Sequence, residues 1–252
     1  MTATVDEVLL YDAAFGEYPG THPLPSASTT AGRWWRAVTL GGQGRYAAAQ
    51  TELNLILREP KGGPWVSLAA STRGSHLRQL GRHAAAQPWD GRALVAVSNP
   101  QAWVDALLGL AADALGSGQA SVAQRLLARY EPHLKAAGWR GRLRWHWVSA
   151  ETALCTGTRC RALEHAKRGA VLAQRCPSRR HQVKSRLVLA AAQGSDGGQL
   201  ASELVGESAA LGLLPLQWAA AMLLNALEPG SEAEGQVQAT IALLHRRGGV
   251  LA

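Results

Sequence analysis

The stretch GQGRYAAAQTELNLILREP, residues 42–60, decides the fold. Gly44 precedes a segment in which Tyr46, Ala49 and Leu53 recur at the spacing of one helix face. We expect Gly44 to end the preceding helix, because glycine adopts a positive φ without steric cost. Ala49 then places a small side chain where the second helix crosses close to the first. The stretch therefore predicts two antiparallel helices joined by a tight turn.

The same glycine, followed five positions later by an alanine, recurs along the chain at a nearly fixed step. The pairs are Gly44–Ala49, Gly81–Ala86, Gly118–Ala123 and Gly157–Ala162. Successive glycines are 37, 37 and 39 residues apart, and weaker echoes follow at Gly194 and Gly230. This period is typical of stacked helical hairpins, none of which buries its apolar face alone. The predicted fold is all-α, an α-α superhelix (solenoid) of about six antiparallel hairpins, and these glycines and alanines are its structural repeat positions.

Proline, glycine and other turn-forming residues mark the expected hairpin boundaries. The predicted hairpins span about 32–58, 65–97, 99–134, 141–175, 179–212 and 215–247. Pro60 and Gly62 are expected to end the first hairpin, Asn99 to open the third, and Ser231 to complete the turn of the sixth. Pro88 falls inside a predicted helix, so it should kink or shorten that helix.

These features resemble the tetratricopeptide-repeat family over residues 32–247. The best match is residues 42–60, and RQLGRHAAA, residues 78–86, repeats its glycine and alanine. Tryptophans also fall in the first helix of five hairpins; these are Trp35, Trp65, Trp103, Trp145 and Trp218. The resemblance implies a groove, lined by first helices, that binds peptides or proteins.

Residues 1–31 differ in composition from the repeat domain predicted at 32–252. Val8, Leu9, Tyr11 and Phe15 fit one short amphipathic helix, and an extended linker rich in Pro, Ser and Thr follows. The segment is acidic, and the sequence leaves open whether it packs on the repeats. We expect its removal to leave helical content and thermal stability nearly unchanged.

Positive charge is concentrated in one part of the chain. The net charge is +8, yet the span from Arg140 to Arg186 holds twelve basic residues and two acidic ones, so the remainder carries −2. The predicted basic face consists of Arg140, Arg142, Arg144, Arg159, Arg161, Arg168, Arg175, Arg179, Arg180, Lys184 and Arg186. Arg161, Arg168 and Arg175 are seven residues apart, which places them on one face of a helix.

Three interpretations of this basic face stay open. It is a solvated surface, or it docks an acidic protein segment, with the chain's own N-terminal segment as one candidate, or it binds nucleic-acid phosphates. Trp139, Trp145 and Trp147 alternate with arginines and offer stacking to single-stranded bases. We expect a non-enzymatic scaffold or adapter of the tetratricopeptide-repeat type, and the alternative is a nucleic-acid-associated regulator.

No motif for catalysis, metal binding or a cofactor is recognisable. A phosphate-binding loop, a nucleophile elbow and a zinc-protease motif are missing from the sequence, and Glu164–His165 reads as helix surface. Cys155, Cys160 and Cys176 fit no common zinc spacing and are expected to be reduced and mostly buried. We therefore expect no enzyme activity, no cofactor and no metal. With no charged leader and no long apolar stretch, the expected location is the cytoplasm, without membrane attachment.

Overall fold

The computed structural model of the chain describes residues 4–59, 63–96, 100–230 and 232–252. These residues are largely helical and contain no strand. The helices are α1 (Val5–Phe15), α2 (Thr30–Gly42), α3 (Tyr46–Leu57), α4 (Pro64–Gln79), α5 (His83–Val95), α6 (Pro100–Gly116), α7 (Ala120–Tyr130), α8 (Gly138–Cys155), α9 (Arg159–Gln174), α10 (Arg179–Gln193), α11 (Gly198–Ala210), α12 (Leu214–Leu227) and α13 (Ala233–Arg246). Helices that are neighbours in the chain, such as α4 and α5, α6 and α7, or α11 and α12, pack against each other, which confirms the predicted all-α helical-repeat fold. Four predicted boundary residues, Pro60, Gly62, Asn99 and Ser231, lie outside the described residues.

The repeat glycines have the conformation that the sequence predicts. Gly44, Gly81, Gly118 and Gly157 all have φ between +72° and +76°. At the last of these, the backbone N–H of Thr158 donates to the carbonyl of Ala153 at 2.8 Å, and that of Gly157 donates to Leu154 at 3.1 Å. This pair of bonds satisfies carbonyls that the end of α8 would otherwise leave open.

The repeat alanines are equally structural. Ala49, Ala86, Ala123 and Ala162 each have 0% of their surface exposed. A larger side chain at any of them would have to displace packed neighbours.

Pro88 does not shorten its helix. Helix α5 continues through Pro88 to Val95. A proline in a helix interior removes one backbone hydrogen bond and usually costs about 3 kcal/mol, and here packing against α4 and α6 retains the helix in spite of that cost.

The helices form two compact units. The first runs from the start of the chain to Glu52 and resumes with Ala173–Leu251; the second is Leu53–Leu172 together with Ala252. In the first unit, the start of α3 and the residue after α13 are in contact although they are far apart in sequence. The Nη1 of Arg247 donates to the carbonyl of Gln43 at 2.7 Å, and the N–H of Ala47 donates to the carbonyl of Arg247 at 3.1 Å. The repeat period alone did not predict this contact, because it implies only contacts between neighbours.

The N-terminal segment is packed into the first unit. Leu10 and Ala13 of α1 join a cluster with Leu40 of α2, and the Phe15 ring lies 5.4 Å from the ring of Trp34. The linker after α1 is also held, since the side-chain amide of Gln43 donates to two of its carbonyls, both at 2.9 Å. The sequence prediction of a helix is correct, but it assigned the wrong face. Val8, Leu9 and Tyr11 point outward, and of the four predicted residues Phe15 alone is buried.

The second unit has its core between α6, α7 and α8. Leu107 and Leu108 of α6 pack with Tyr130 of α7 and Val148 of α8. This packing brings the buried Asp105 of α6 next to α8, the helix on which the predicted basic face begins.

Candidate functional site

Two residues of the predicted basic face, Arg140 and Arg144, form ion pairs inside the protein. Arg140 and Arg144 lie one turn apart on α8, and both guanidinium groups bind the carboxylate of Asp105, Arg144 at 2.5 Å. Asp105 is 2% exposed. Burial by itself would raise the pKa of Asp105, but the two guanidinium charges and their hydrogen bonds outweigh it and hold that pKa below its usual value. These arginines join α8 to α6, so we do not retain them in the candidate surface. Arg142, between them, is exposed.

The exposed side of α9 is the continuous part of the predicted face. Arg159, Arg161 and Arg168 of that face are all exposed, and so is the neighbouring Lys167. Arg168 forms an ion pair with Glu164 at 2.7 Å, and both side chains are more than half exposed. Such a pair contributes a few tenths of a kcal/mol, about 0.3–0.5, and leaves both groups accessible to solvent. An apolar side chain, Val171, is 53% exposed on the same helix.

The remaining predicted cations belong to the first unit, where acidic residues of α11 neutralise part of their charge. Arg179 binds Glu207 at 3.2 Å, and Arg186 binds both Glu207 and Glu203. Arg180 and Lys184 are half-buried on α10. Arg175 is exposed one residue beyond the end of α9. Counting charges along the sequence missed this neutralisation, because the acids come seventeen or more residues later in the chain.

A histidine pair lies where α8 meets α9, and the sequence did not reveal it. The Nδ1 atoms of His146 and His165 are 3.2 Å apart, and the ring of Trp145 lies 5.0 Å from each histidine ring. Glu164 is exposed as expected, but His165 is half-buried rather than on the helix surface. His146 lies eleven residues before Gly157 and His165 eight residues after it, so simple register counting from the turn does not pair them.

The environment of this pair keeps the imidazoles neutral. Burial, the neighbouring imidazole and Arg168 lower the pKa of His146 to about 4. Burial is also the largest cause of the lowered pKa of His165; Glu164 opposes it, and Arg161 and Arg168 add to it. A hydrogen bond between the two Nδ1 atoms needs one donor and one acceptor. If both imidazoles were cationic, both Nδ1 atoms would be donors and the bond would be lost.

A second set of polar residues that the sequence did not identify lies deep in the second unit. The Nη1 of Arg78 binds the carboxylates of both Asp90 and Asp113, and the Ser71 hydroxyl donates to Asp90 at 3.0 Å. Asp90 is fully buried, and burial raises its pKa to about 7 in spite of Arg78. Gly109 leaves the space that this carboxylate fills, because a Cβ there would overlap it. The network joins α4, α5 and α6.

The other residues singled out in the sequence are the three cysteines and the tryptophans of α8. Cys176 is buried as expected, whereas Cys155 and Cys160 are exposed free thiols, which corrects the expectation of mostly buried cysteines. Trp145 lies against the histidine pair, and Trp139 and Trp147 are half-buried. Within residues 4–59, 63–96, 100–230 and 232–252, no group of three or more His, Cys, Asp or Glu side chains is arranged to hold a metal ion.

Comparisons with family models, with curated proteins and with solved structures found no match. Over the described part of the chain, none of the helices combines the length and the apolar character that crossing a membrane requires.

Proposed function

We propose that this chain is a non-enzymatic scaffold or adapter of the tetratricopeptide-repeat type that docks an acidic peptide or protein segment. The docking surface is the cationic face of α9, defined as Arg161, Lys167 and Arg168 together with Val171. The single observation that carries the proposal is the exposure of three cations and one apolar side chain along one helix. Salt bridges with an acidic segment relieve the mutual repulsion of these cations, and Val171 supplies apolar contact.

The nucleic-acid alternative has less support. Stacking of bases needs accessible aromatic faces, and the tryptophans named for that role are half-buried on α8. The exposed thiols of Cys155 and Cys160 fit a reducing compartment, which supports a cytoplasmic location as part of this proposal.

Charge reversal on α9 tests the proposal. The variant carries Arg161→Glu, Lys167→Glu and Arg168→Glu, and the probe is a fluorescent peptide that alternates Glu with Leu. Its control carries Arg58→Glu, Arg82→Glu and Arg246→Glu, three exposed cations outside the predicted face, so both proteins have the same net charge. We expect the α9 variant to weaken binding about tenfold or more, a loss of about 1.4 kcal/mol, and the control to bind normally.

Two other outcomes contradict the proposal. Equal weakening by both variants means that only the net charge matters, so the surface is merely solvated. Tighter binding of a single-stranded oligonucleotide with the same number of charges, abolished by the α9 variant, favours the nucleic-acid alternative.

A further inference from the structure

Helix α1 exposes an apolar face. Val5 is 77% exposed, Val8 56% and Leu9 48%. Positions three and four apart lie on the same side of a helix, so these side chains form one patch. Single exposed apolar residues are ordinary on a protein surface, but three large ones on one turn and a half of helix are typical of an interaction site.

The patch is held in place. The Thr4 side chain and Glu7 cap the start of α1 reciprocally, and the Thr29 hydroxyl donates to the same Glu7 carboxylate at 2.8 Å. The opposite side of α1 is buried through Leu10, Ala13 and Ala14. A partner of this face therefore meets an ordered helix and does not have to order it on binding.

Charge restricts the partner. Residues 4–18 contain four carboxylates, Asp6, Glu7, Asp12 and Glu17, and no Lys or Arg. Two α1 helices from different copies would bring these carboxylates together, which is unfavourable. The partner of α1 must therefore be basic, with exposed apolar groups.

The chain itself contains such a surface. Residues 159–175 carry five Lys or Arg residues and one carboxylate, a net charge of +4 against the −4 of residues 4–18. On the cationic face of α9, Val171 is half exposed beside Arg168. We infer that the outward face of α1 in one copy docks on the cationic face of α9 in a second copy. The inference rests on the proposed function, since it names the acidic segment that α9 receives.

This mode of assembly has a consequence for stoichiometry. The two contacting surfaces differ, so every copy carries one surface of each kind. Such contacts form a twofold dimer where two copies exchange them reciprocally, and rings or open chains where they do not.

Charge swaps in the full-length protein test the inference by sedimentation velocity over a concentration series. Asp6→Lys, Asp12→Lys and Glu17→Lys reverse the α1 segment (residues 4–18, from −4 to +2), and Arg161→Glu, Lys167→Glu and Arg168→Glu reverse α9 (residues 159–175, from +4 to −2). We expect the natural protein to self-associate and each singly reversed protein to associate at least about tenfold more weakly. The protein with both reversals should associate again, because opposite charges then face each other. An equal mixture of the two singly reversed proteins should also associate, because each α1 then meets an α9 of opposite charge in the other protein.

Other results overturn the inference. A natural protein that sediments as a monomer at every concentration, while the acidic probe peptide still binds α9, refutes self-docking and leaves the proposed function intact. A natural protein that neither self-associates nor binds the acidic probe peptide refutes both the inference and the proposed function. Association that the α9 reversal does not weaken, or that the double reversal does not restore, places the α1 partner elsewhere. Val8→Ser with Leu9→Ser must also weaken association, since a purely electrostatic contact would not respond.

Discussion

Two kinds of glycine have open space around them in this protein, and alanine should affect them in opposite ways. A Cβ added at Gly157, where φ is +72°, would meet no neighbouring atom within 4 Å, and the same holds at Gly206 within α11. Gly157→Ala should lower the free energy of unfolding by about 1–2 kcal/mol through left-handed backbone strain. Gly206→Ala should raise it by about 0.4–1 kcal/mol, because alanine favours the helix and restricts the unfolded chain. Urea denaturation measures both, and equal effects would refute the turn assignment.

Asp105 offers a second test at the level of one side chain. Asp105→Ala leaves Arg140 and Arg144 without their shared carboxylate in a largely buried place. Breaking a buried ion pair from one side costs about 3–5 kcal/mol. Glu164→Ala is the matched control, since its pair with Arg168 is exposed and is worth at most about 0.5 kcal/mol. Similar losses in the two variants would show that Arg140 and Arg144 are not structural.

Helix α1 shows how a sequence pattern can identify an element and mistake its role. The apolar residues of α1 predicted a helix correctly, but apolar residues occur on both of its sides. Periodicity therefore could not decide which side faces the protein. Burial of Leu10, Ala13 and Phe15 also replaces the expectation that the segment is dispensable.

Buried and exposed apolar side chains of α1 should respond differently to truncation. Phe15→Ala removes a side chain that is 4% exposed and packs on Trp34, so we expect a loss of about 3–5 kcal/mol. Leu9→Ala, on the outward face, should cost less than about 0.5 kcal/mol. Thermal and urea unfolding of the two variants compare them directly. A stable Phe15→Ala protein would restore the prediction that α1 is dispensable.

The hairpin of α8 and α9 should lose stability in acid because of its histidine pair. His146 has a folded-state pKa of about 4, below its unfolded value of about 6.5. Between these values the unfolded chain binds more protons than the folded one, so the free energy of unfolding falls as pH decreases. Asp90 acts in the opposite direction, since its raised pKa makes the folded state bind more protons below pH of about 7. The free energy of unfolding of the His146→Gln variant should therefore fall less steeply with decreasing pH than that of the natural protein. An unchanged difference between the two proteins from neutral pH to about 4 would contradict the buried neutral pair.

For the molecule as a whole, the sequence was sufficient where the determinants are local. Each repeat glycine ends its own helix, and each repeat alanine lies one and a half turns further on, so a period along the chain contains that information. The candidate site depended on contacts between distant positions. Asp105 lies more than thirty residues before the arginines it binds, and no local pattern marks it as their partner. The contact of Gln43 with Arg247, 204 residues apart, is the extreme case.

The contact between the start of α3 and the end of α13 in the first unit can be tested by substitution. A Cβ at Gly248 would lie 2.7 Å from the Cβ of Ala47. Gly248→Ala should therefore push the end of α13 away from α3 and speed hydrogen exchange of the Ala47 amide, which donates to Arg247. Gly230 has nearly the same φ, +86° against +85°, and open space around it. Gly230→Ala adds the same backbone strain without the clash, so exchange at Ala47 should stay as in the natural protein. In a stack whose repeats meet only their neighbours, neither substitution would reach α3, and equal exchange in the two variants would indicate such a stack.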